Sequence, residues 1–416
     1  MPLYRREGDG YPKVLASQEV TETAPRTNST LFSSPMRYQN VCLEGFACTL
    51  PDQIVTSAEI EAQLAPLYRR LGLPEGRLEL ITGISTRRFW PPGMVPSDQS
   101  VLSAEKALRI AGLDKRHVGA LVHGSVCRDY VEPATASGVH CRLGLPAECM
   151  TYDVSNACLG LMNGLVQVAN MIELGQIRAG IVVGTENGRP LVENTIRWLN
   201  QASSLTRNEA KRAIASLTIG SGSAAIVLAD RELSRTGNRL LGGAVRTRSS
   251  ACRLCVSGHD QSIGGDAQPL MWTDSDALMR QGVHAAKETF PAFLEATGWA
   301  ANEIHRTFCH QIGPMHRRLL FDKLGLDPAI DYPTVEFLGN TGSVALPITA
   351  ALGVQKGCVK RGDHVALWGI GSGINVVALG VDWQRSLVDD QVAAGIPLAC
   401  QTQAAARAAT TVGSFD

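Results

Sequence analysis

Aromatic residues are scarce in this chain, 5% of 416 residues, and neither sign of charge prevails, with 39 Lys plus Arg against 39 Asp plus Glu. The first scarcity removes the stacking platforms that grip single-stranded nucleic acid. The second removes the basic field that nucleic-acid binding needs, and with it any acidic solvating block. No apolar run reaches the ~18 residues of a transmembrane helix. The opening stretch "MPLYRREGDGYPKV" carries charge where a secretory signal would be apolar. Cysteine is present, 11 residues, but in an odd number and without the spacing of a disulfide framework. The one CxxC, Cys252 to Cys255 in "ACRLCVSG", lacks the second pair that a zinc site needs. Reduced thiols in a cytoplasmic protein without metal are therefore expected.

What remains is a chain with 44% hydrophobic and 19% charged residues, long enough for one large domain or two ordinary ones. Residues 1–36, including "ASQEVTETAPRTNSTLFSSP", read as a disordered arm, and residues 386–416 as a flexible tail. Between them strands and helices alternate. "YQNVCLEGFACTLP", "HVGALVHGSV", "CMTYDV" and "AGIVVGTE" have the pattern of buried strands. "TSAEIEAQLAPLYRRLGL" opens with a capping box from Thr56 to Glu59, and "SDQSVLSAEKALRIAGL" ends on a glycine stop. "SLTIGSGSAAIVLA" reads as a strand pair with a glycine break. The order predicts an α/β fold of sheets covered by helices. It divides into two halves, 37–230 and 231–385, that suggest an internal duplication.

Cys158 lies in "DVSNACLGLMNG", where a strand ends at Val154 and an apolar helix begins. In the first turn of that helix, free N–H groups and the helix dipole would lower the thiol pKa. The same N–H groups could hold an oxyanion. Gly160 and Gly164 would leave room beside the helix for a narrow channel. A cysteine that merely fills a core fits the same stretch. His310 closes a strand in "RTFCHQIGPMHRRLL", and Asn340 sits between glycines in "EFLGNTGSVALP", where a turn or cap asparagine is the plainer reading. "LWGIGSGINV" bends between two strands, which suits a backbone N–H brought close to a ligand better than a nucleotide loop. Together these give thiol, imidazole, amide and glycine N–H at strand ends, where α/β sheets place their chemistry.

The motifs "DVSNACLGLMNG", "CHQIG", "GNTGSVALP", "GIGSGIN" and "TGISTRRFW", in that set, resemble the ketoacyl synthase III-like branch of the thiolase superfamily over about residues 38–383. The resemblance implies a duplicated five-layer αβαβα fold, two mixed sheets around buried helices, in a homodimer. It implies that Cys158 carries an acyl chain beside His310 and Asn340, with the N–H groups of Cys158 and Gly373 as oxyanion hole. "GSVCRDYVEPATAS" is similar to a loop of the head-to-head condensing enzymes of long-chain olefin biosynthesis. Those enzymes bear a glutamate that crosses the dimer interface, and Glu132 matches it. A solvated loop glutamate before a proline is the plainer alternative.

The implied activity joins two fatty acyl-CoA molecules to a 2-alkyl-3-keto acid, with no cofactor beyond the thioesters. Removal of an α-proton requires a positioned base, the part assigned to Glu132. In an apolar channel such a carboxylate would have a raised pKa. Arg87 and Arg88 are candidates for the CoA phosphates, or equally for a structural salt bridge. Enzymes of the same lipid pathway are possible partners. A ketoacyl synthase III that takes malonyl-ACP would need Cys158, His310 and Asn340 but not Glu132. A cysteine hydrolase and a non-catalytic acyl-binding protein are the readings from other classes. The first lacks the papain-type surroundings, and the second has no need of a nucleophile.

Overall fold

Runs such as "AGIVVGTE" and "GSAAIVLAD" are apolar without alternation, and strands of that kind are covered on both faces. The computed structural model describes residues 36–257 and 270–388. In the first half, β1 (Val41–Thr49) leads through α1 (Pro96–Ala111), β2 (Val118–Gly124), α2 (Thr135–Leu143), β3 (Met150–Val154) and α3 (Gly160–Glu173) to β4 (Ala179–Glu186) and β5 (Gly222–Asp230). In the second half, β6 (Arg239–Thr247) leads through α4 (Ser275–Thr297), β7 (Arg306–Cys309), α5 (Pro314–Leu324) and α6 (Ala345–Gln355) to β8 (His364–Gly371) and β9 (Asn375–Asp382).

The strand order is β7-β8-β9-β6-β1-β5-β4-β2-β3, with Met36–Arg37 added beside β6. Each half uses the same wiring. In the first, β1, β5 and β4 run antiparallel in sequence, and β2 and β3 continue parallel to β4. In the second, β6, β9 and β8 are antiparallel, β7 is parallel to β8, and a lone parallel bridge from Thr307 to Asp331 stands where β3 stands in the first. The two halves meet in one ladder pair, Cys42 opposite Arg239.

Three apolar clusters define the layers. Leu161, Leu165 and Val168 of α3 and Ile348 and Leu352 of α6 share one cluster with strand residues of both halves. The residues of α6 from Ala345 to Val354 are all buried, as an all-apolar helix must be. On the outer face of the first half, Ala104, Leu108 and Val139 pack against Ile181 and Val227. On the outer face of the second, Phe293 and Phe321 pack against Trp368 and Ala378. Helix, strand, helix, strand and helix layers follow as the resemblance implied, but the two expected sheets are joined through the Cys42–Arg239 pair into one continuous sheet.

The capping box forms, with Glu59 and Thr56 satisfying each other's backbone N–H groups. Its helix stops at Gln63, and a second helix, Ala65–Leu71, follows with a proline in its first turn. The stretch "SLTIGSGSAAIVLA" differs from expectation. Its first residues close the helix Arg207–Leu217, and only Gly222–Asp230 is strand. The amphipathic spacing of "RNEAKRAIASL" continues through Ser216 and Leu217, so helical periodicity outweighs the glycine break. The expected arm and tail lie almost wholly outside the described residues. Met36 at one edge is already paired, and Ser386 at the other accepts a hydrogen bond from the Trp383 indole.

Gly160 and Gly164 do not open a channel. A Cβ on Gly160 would lie 3.0 Å from the Gly124 carbonyl carbon and 3.0 Å from the Val154 oxygen, and one on Gly164 would lie 2.7 Å from a Val182 methyl. The glycines let α3 settle directly on β2 and β4. The approach is tightest from the strand side, where a Cβ on Gly124 would come within 2.6 Å of the Gly160 and Leu161 backbones. Backbone cannot yield as a flexible side chain can. Gly124→Ala is expected to cost roughly 1–3 kcal/mol of stability. Thermal unfolding of the variant checks this, and an unchanged melting temperature would show that the contact gives way freely.

Candidate active site

The strand ends and helix starts collect the chemistry. Val154 ends β3, and the chain reaches α3 through a tight turn in which Ala157 takes a φ of 45°, the left-handed region that non-glycine residues rarely occupy. Leu159 is the helix cap, so Cys158 stands just before the helix and not within its first turn. The thiol departs from expectation for a related reason. Burial pushes it up to about 12, the charges of Cys255 and Glu186 add to that, and donated N–H groups from Ser372 and Cys158 itself oppose it. Desolvation of the thiolate outweighs whatever the helix end supplies. Cys158 is thus a protonated thiol at neutral pH.

Of the two N–H groups that reach this sulfur, one belongs to Cys158 itself and one to Ser372, the neighbour of Gly373. Ser372 and Gly373 lie in the bend between β8 and β9, where Gly373 has a φ of 81°. A Cβ on Gly371 would lie 3.0 Å from the Leu159 side chain, so the bend is seated on the residue after the nucleophile. Asn375 fastens it further, donating to the Ser372 carbonyl at 3.3 Å and accepting from Thr247 at 2.9 Å.

His310 follows the last residue of β7, and its N–H donates to the Trp368 carbonyl at 2.8 Å. The side chain is buried, and its Nδ1 has no hydrogen-bond partner among the described residues. Burial, and then the neighbouring His316, lower its pKa to about 3. The imidazole is therefore neutral, able to donate from one nitrogen and accept at the other. Gln311 next to it accepts the N–H groups of Thr334 and Val335, which open the short helix before Asn340.

Asn340 is held from every side of its backbone. Its N–H donates to Thr218 and its carbonyl accepts from Gly220, both at 2.9 Å. Its Oδ1 accepts the Gly342 N–H at 3.0 Å, which leaves the Nδ2 amide as the free donor. Two residues missed by sequence reasoning complete the surroundings, Ser372 and Glu186. Neither carries a signal of its own, since a serine between glycines and a glutamate at a strand end are both commonplace.

Glu132 is exposed, on the loop from Ser125 to Ala134 that leaves the end of β2. Tyr130 and Val131 beside it are exposed as well, at 64% and 63%. Arg87 and Arg88 are where phosphate contacts do not reach. Both are buried, Arg87 completely, in the strand Thr86–Phe89. Arg87 donates to the Ser57 hydroxyl and Arg88 to the Pro51 carbonyl. Burial lowers the pKa of Arg87 to about 10. This strand instead backs the Asn340 loop, since Ser221 donates to the Arg88 carbonyl and a Cβ on Gly339 would lie 3.3 Å from the Arg87 side chain. Among the described residues no group of His, Cys, Asp and Glu could hold a metal ion, and no helix is long and apolar enough to cross a membrane. A cavity of about 630 Å³ lined by Phe46, Leu50, Trp90 and Val354 excludes the residues above and lies elsewhere.

Comparison with known proteins agrees with this layout. Residues 97–212 match the thiolase N-terminal domain, and residues 294–383 match the C-terminal domain of 3-oxoacyl-[acyl-carrier-protein] synthase III. An acyl-CoA:acyl-CoA alkyltransferase of Shewanella oneidensis is 39% identical over 351 residues, 84% of this chain and all of that one. Crystal structures of Xanthomonas campestris OleA superpose closely. A glutamate-to-glutamine variant has a TM-score of 0.78 at 35% identity, covering 85% of this chain and 99% of that one. A cysteine-to-serine variant with bound lauric acid and lauroyl-CoA has a TM-score of 0.77 at 35% identity, covering 83% and 100%. The 3-oxoacyl-(acyl carrier protein) synthase III FabH of Xanthomonas oryzae scores 0.77 at 36% identity, covering 84% and 100%. The chain belongs to the acyl-CoA:acyl-CoA alkyltransferase family of thiolase-fold acyltransferases.

Proposed function

We propose that this enzyme condenses two fatty acyl-CoA molecules without decarboxylation, as a homodimer in the cytoplasm. The observation that carries the reading is a nucleophile, imidazole and amide in the segments that follow β3, β7 and the helix Val335–Leu338, in a chain that also presents Glu132 on an exposed loop. The described cysteines form no disulfide with one another, which supports a reducing compartment. The bound lauroyl-CoA of the solved OleA relative supports the substrate class.

In the first half-reaction Cys158 attacks the thioester of one acyl-CoA. The thiol starts protonated, and the proton it loses ends on the departing CoA sulfur, so the exchange is proton-neutral overall. In the second half-reaction another acyl-CoA binds, and Glu132 from the partner protomer removes its α-proton. The resulting carbanion attacks the Cys158 thioester. The new carbon–carbon bond forms as the carbon–sulfur bond breaks, and the proton returns to the Cys158 sulfur. Neutral His310 and the Asn340 amide donate to the thioester oxygen where the enolate charge develops. Preorganised donors of this kind are commonly worth ~2.7–4 kcal/mol apiece. The 2-alkyl-3-ketoacyl-CoA is released as the keto acid after hydrolysis. The scheme uses no cofactor beyond the CoA thioesters. Downstream enzymes of the same lipid pathway would consume the product.

The likeness to the Xanthomonas oryzae FabH supports a second reading, condensation with malonyl-ACP. A malonyl donor makes its carbanion by losing carbon dioxide and needs no base. The two readings separate on Glu132. With one long-chain acyl-CoA and no malonyl donor, the native enzyme should release CoA beyond one equivalent per site and form a product with two acyl chains. Glu132→Ala should stop near one equivalent with Cys158 acylated, and Cys158→Ala should form neither adduct nor product. Full activity in Glu132→Ala, or a native enzyme that waits for malonyl-ACP, would move the assignment to the second reading.

The elevated thiol pKa has its own test. Only the thiolate is alkylated, so labelling of Cys158 by iodoacetamide should rise about tenfold per pH unit from pH 7 to pH 10. Mass spectrometry of the Cys158 peptide reads this directly. A plateau near pH 8 would mean that the helix end stabilises the thiolate after all.

A further inference from the structure

Glu186 is the last residue of β4, and its carboxylate is buried. It joins two segments that are far apart in sequence. On one side it accepts the N–H groups of Val126, at 3.0 Å, and Cys127, at 3.3 Å. These residues begin the loop that carries Glu132. On the other side the same carboxylate accepts the Ser343 N–H at 3.3 Å and the Ser343 hydroxyl at 2.6 Å. Ser343 lies three residues beyond Asn340, and the Ser343 hydroxyl also donates to the Gly124 carbonyl at 2.9 Å. The contact with the second loop is close-packed, since a Cβ on Gly342 would lie 3.1 Å from the Glu186 side chain.

The far end of the first loop is fixed separately. Asp129 accepts the Ser97 N–H at 2.9 Å, and Asp153 accepts the N–H groups of Thr135 and Ala136 at 2.8 and 2.9 Å. Glu132 therefore stands at the tip of a loop held at both roots, and Glu186 holds the root nearest the site. Charge-assisted bonds to a buried carboxylate are the strong kind, and removing one partner leaves the others without their acceptor.

We propose that Glu186 is a positioning residue for the condensation step, one carboxylate that fixes both the Asn340 loop of its own site and the loop that offers Glu132 to the partner site. This rests on the two-acyl-CoA reading above. It makes Glu186 the physical link between the two sites of the dimer. The first half-reaction needs neither loop to be exact, because the acyl donor meets Cys158 and the bend at Ser372. The second needs both, because the base and the enolate donor must meet one substrate.

The test measures the two half-reactions separately on Glu186→Gln, with Ser343→Ala as a second variant that removes the hydroxyl's bonds to Glu186 and the Gly124 carbonyl and keeps the Val126 and Cys127 bonds. Glu186→Gln should lower the turnover number for condensation roughly 10–100-fold with little change in KM. Acylation of Cys158 should run at or above the native rate, since the variant also removes a negative charge that opposes the thiolate. Ser343→Ala should lower condensation less, and the double variant should lose less than the two single losses combined. Glu186→Ala should be worse than Glu186→Gln, which keeps one acceptor oxygen. Equal loss of both half-reactions with a lowered melting temperature would make Glu186 merely structural and overturn the proposal, as would unchanged condensation. Failure of the underlying reading is distinguishable, because it would show in the native enzyme as no two-acyl product without a malonyl donor.

Discussion

Everything in the site is measured from the place where β2 passes the start of α3 backbone against backbone. Gly124 and Gly160 are both without a side chain there, and any added carbon would collide with main chain. That contact fixes the height of α3 against the sheet, and hence the position of Cys158 just before it. Gly124 is also where the Glu132 loop departs and where the Ser343 hydroxyl binds. Cys158, the Glu132 loop and the Asn340 loop are thus referred to one point of rigid packing. Close-packed interiors transmit displacement and do not absorb it, so precision at one contact becomes precision at three loops.

Burial governs the electrostatics in the same way. The thiol of Cys158 is driven up and the imidazole of His310 is driven down, so both groups are uncharged before substrate arrives. A site of neutral groups is compatible with a long apolar acyl chain. In the proposed condensation, the charge that develops on the enolate oxygen would meet the His310 and Asn340 donors. The low polarity that makes the resting thiol sluggish also makes each of those donors stronger.

Much of this was legible in the chain. The apolar runs of β4 and β5, the Thr56 cap and the glycine after α1 behave as local rules require, because each depends on residues within a few positions. Cys158, His310 and Asn340 were visible because each sits where a periodic segment ends. The misplaced features all depend on what packs from elsewhere. Arg87 and Arg88 look like surface cations in a short polar strand. They are buried because the Asn340 loop and the residues around Ser57 and Pro51 close over them. The thiol pKa depends first on burial, and then on groups far away in sequence, the charge of Cys255 raising it and the N–H of Ser372 lowering it. Gly160 and Gly164 signalled space, but a sequence does not say that β2 and β4 fill it.

The repeated wiring of the two halves has an evolutionary consequence. Cys158 follows β3, and Asn340 follows the Asp331 bridge that replaces β3 in the second half. The Glu132 loop follows β2, and His310 follows its counterpart β7. Glu186 ends β4, and the Ser372 bend follows its counterpart β8. A self-paired ancestor of half this length would have carried identical residues at each equivalent place. With two halves in one chain each loop can differ from its counterpart, as these positions do.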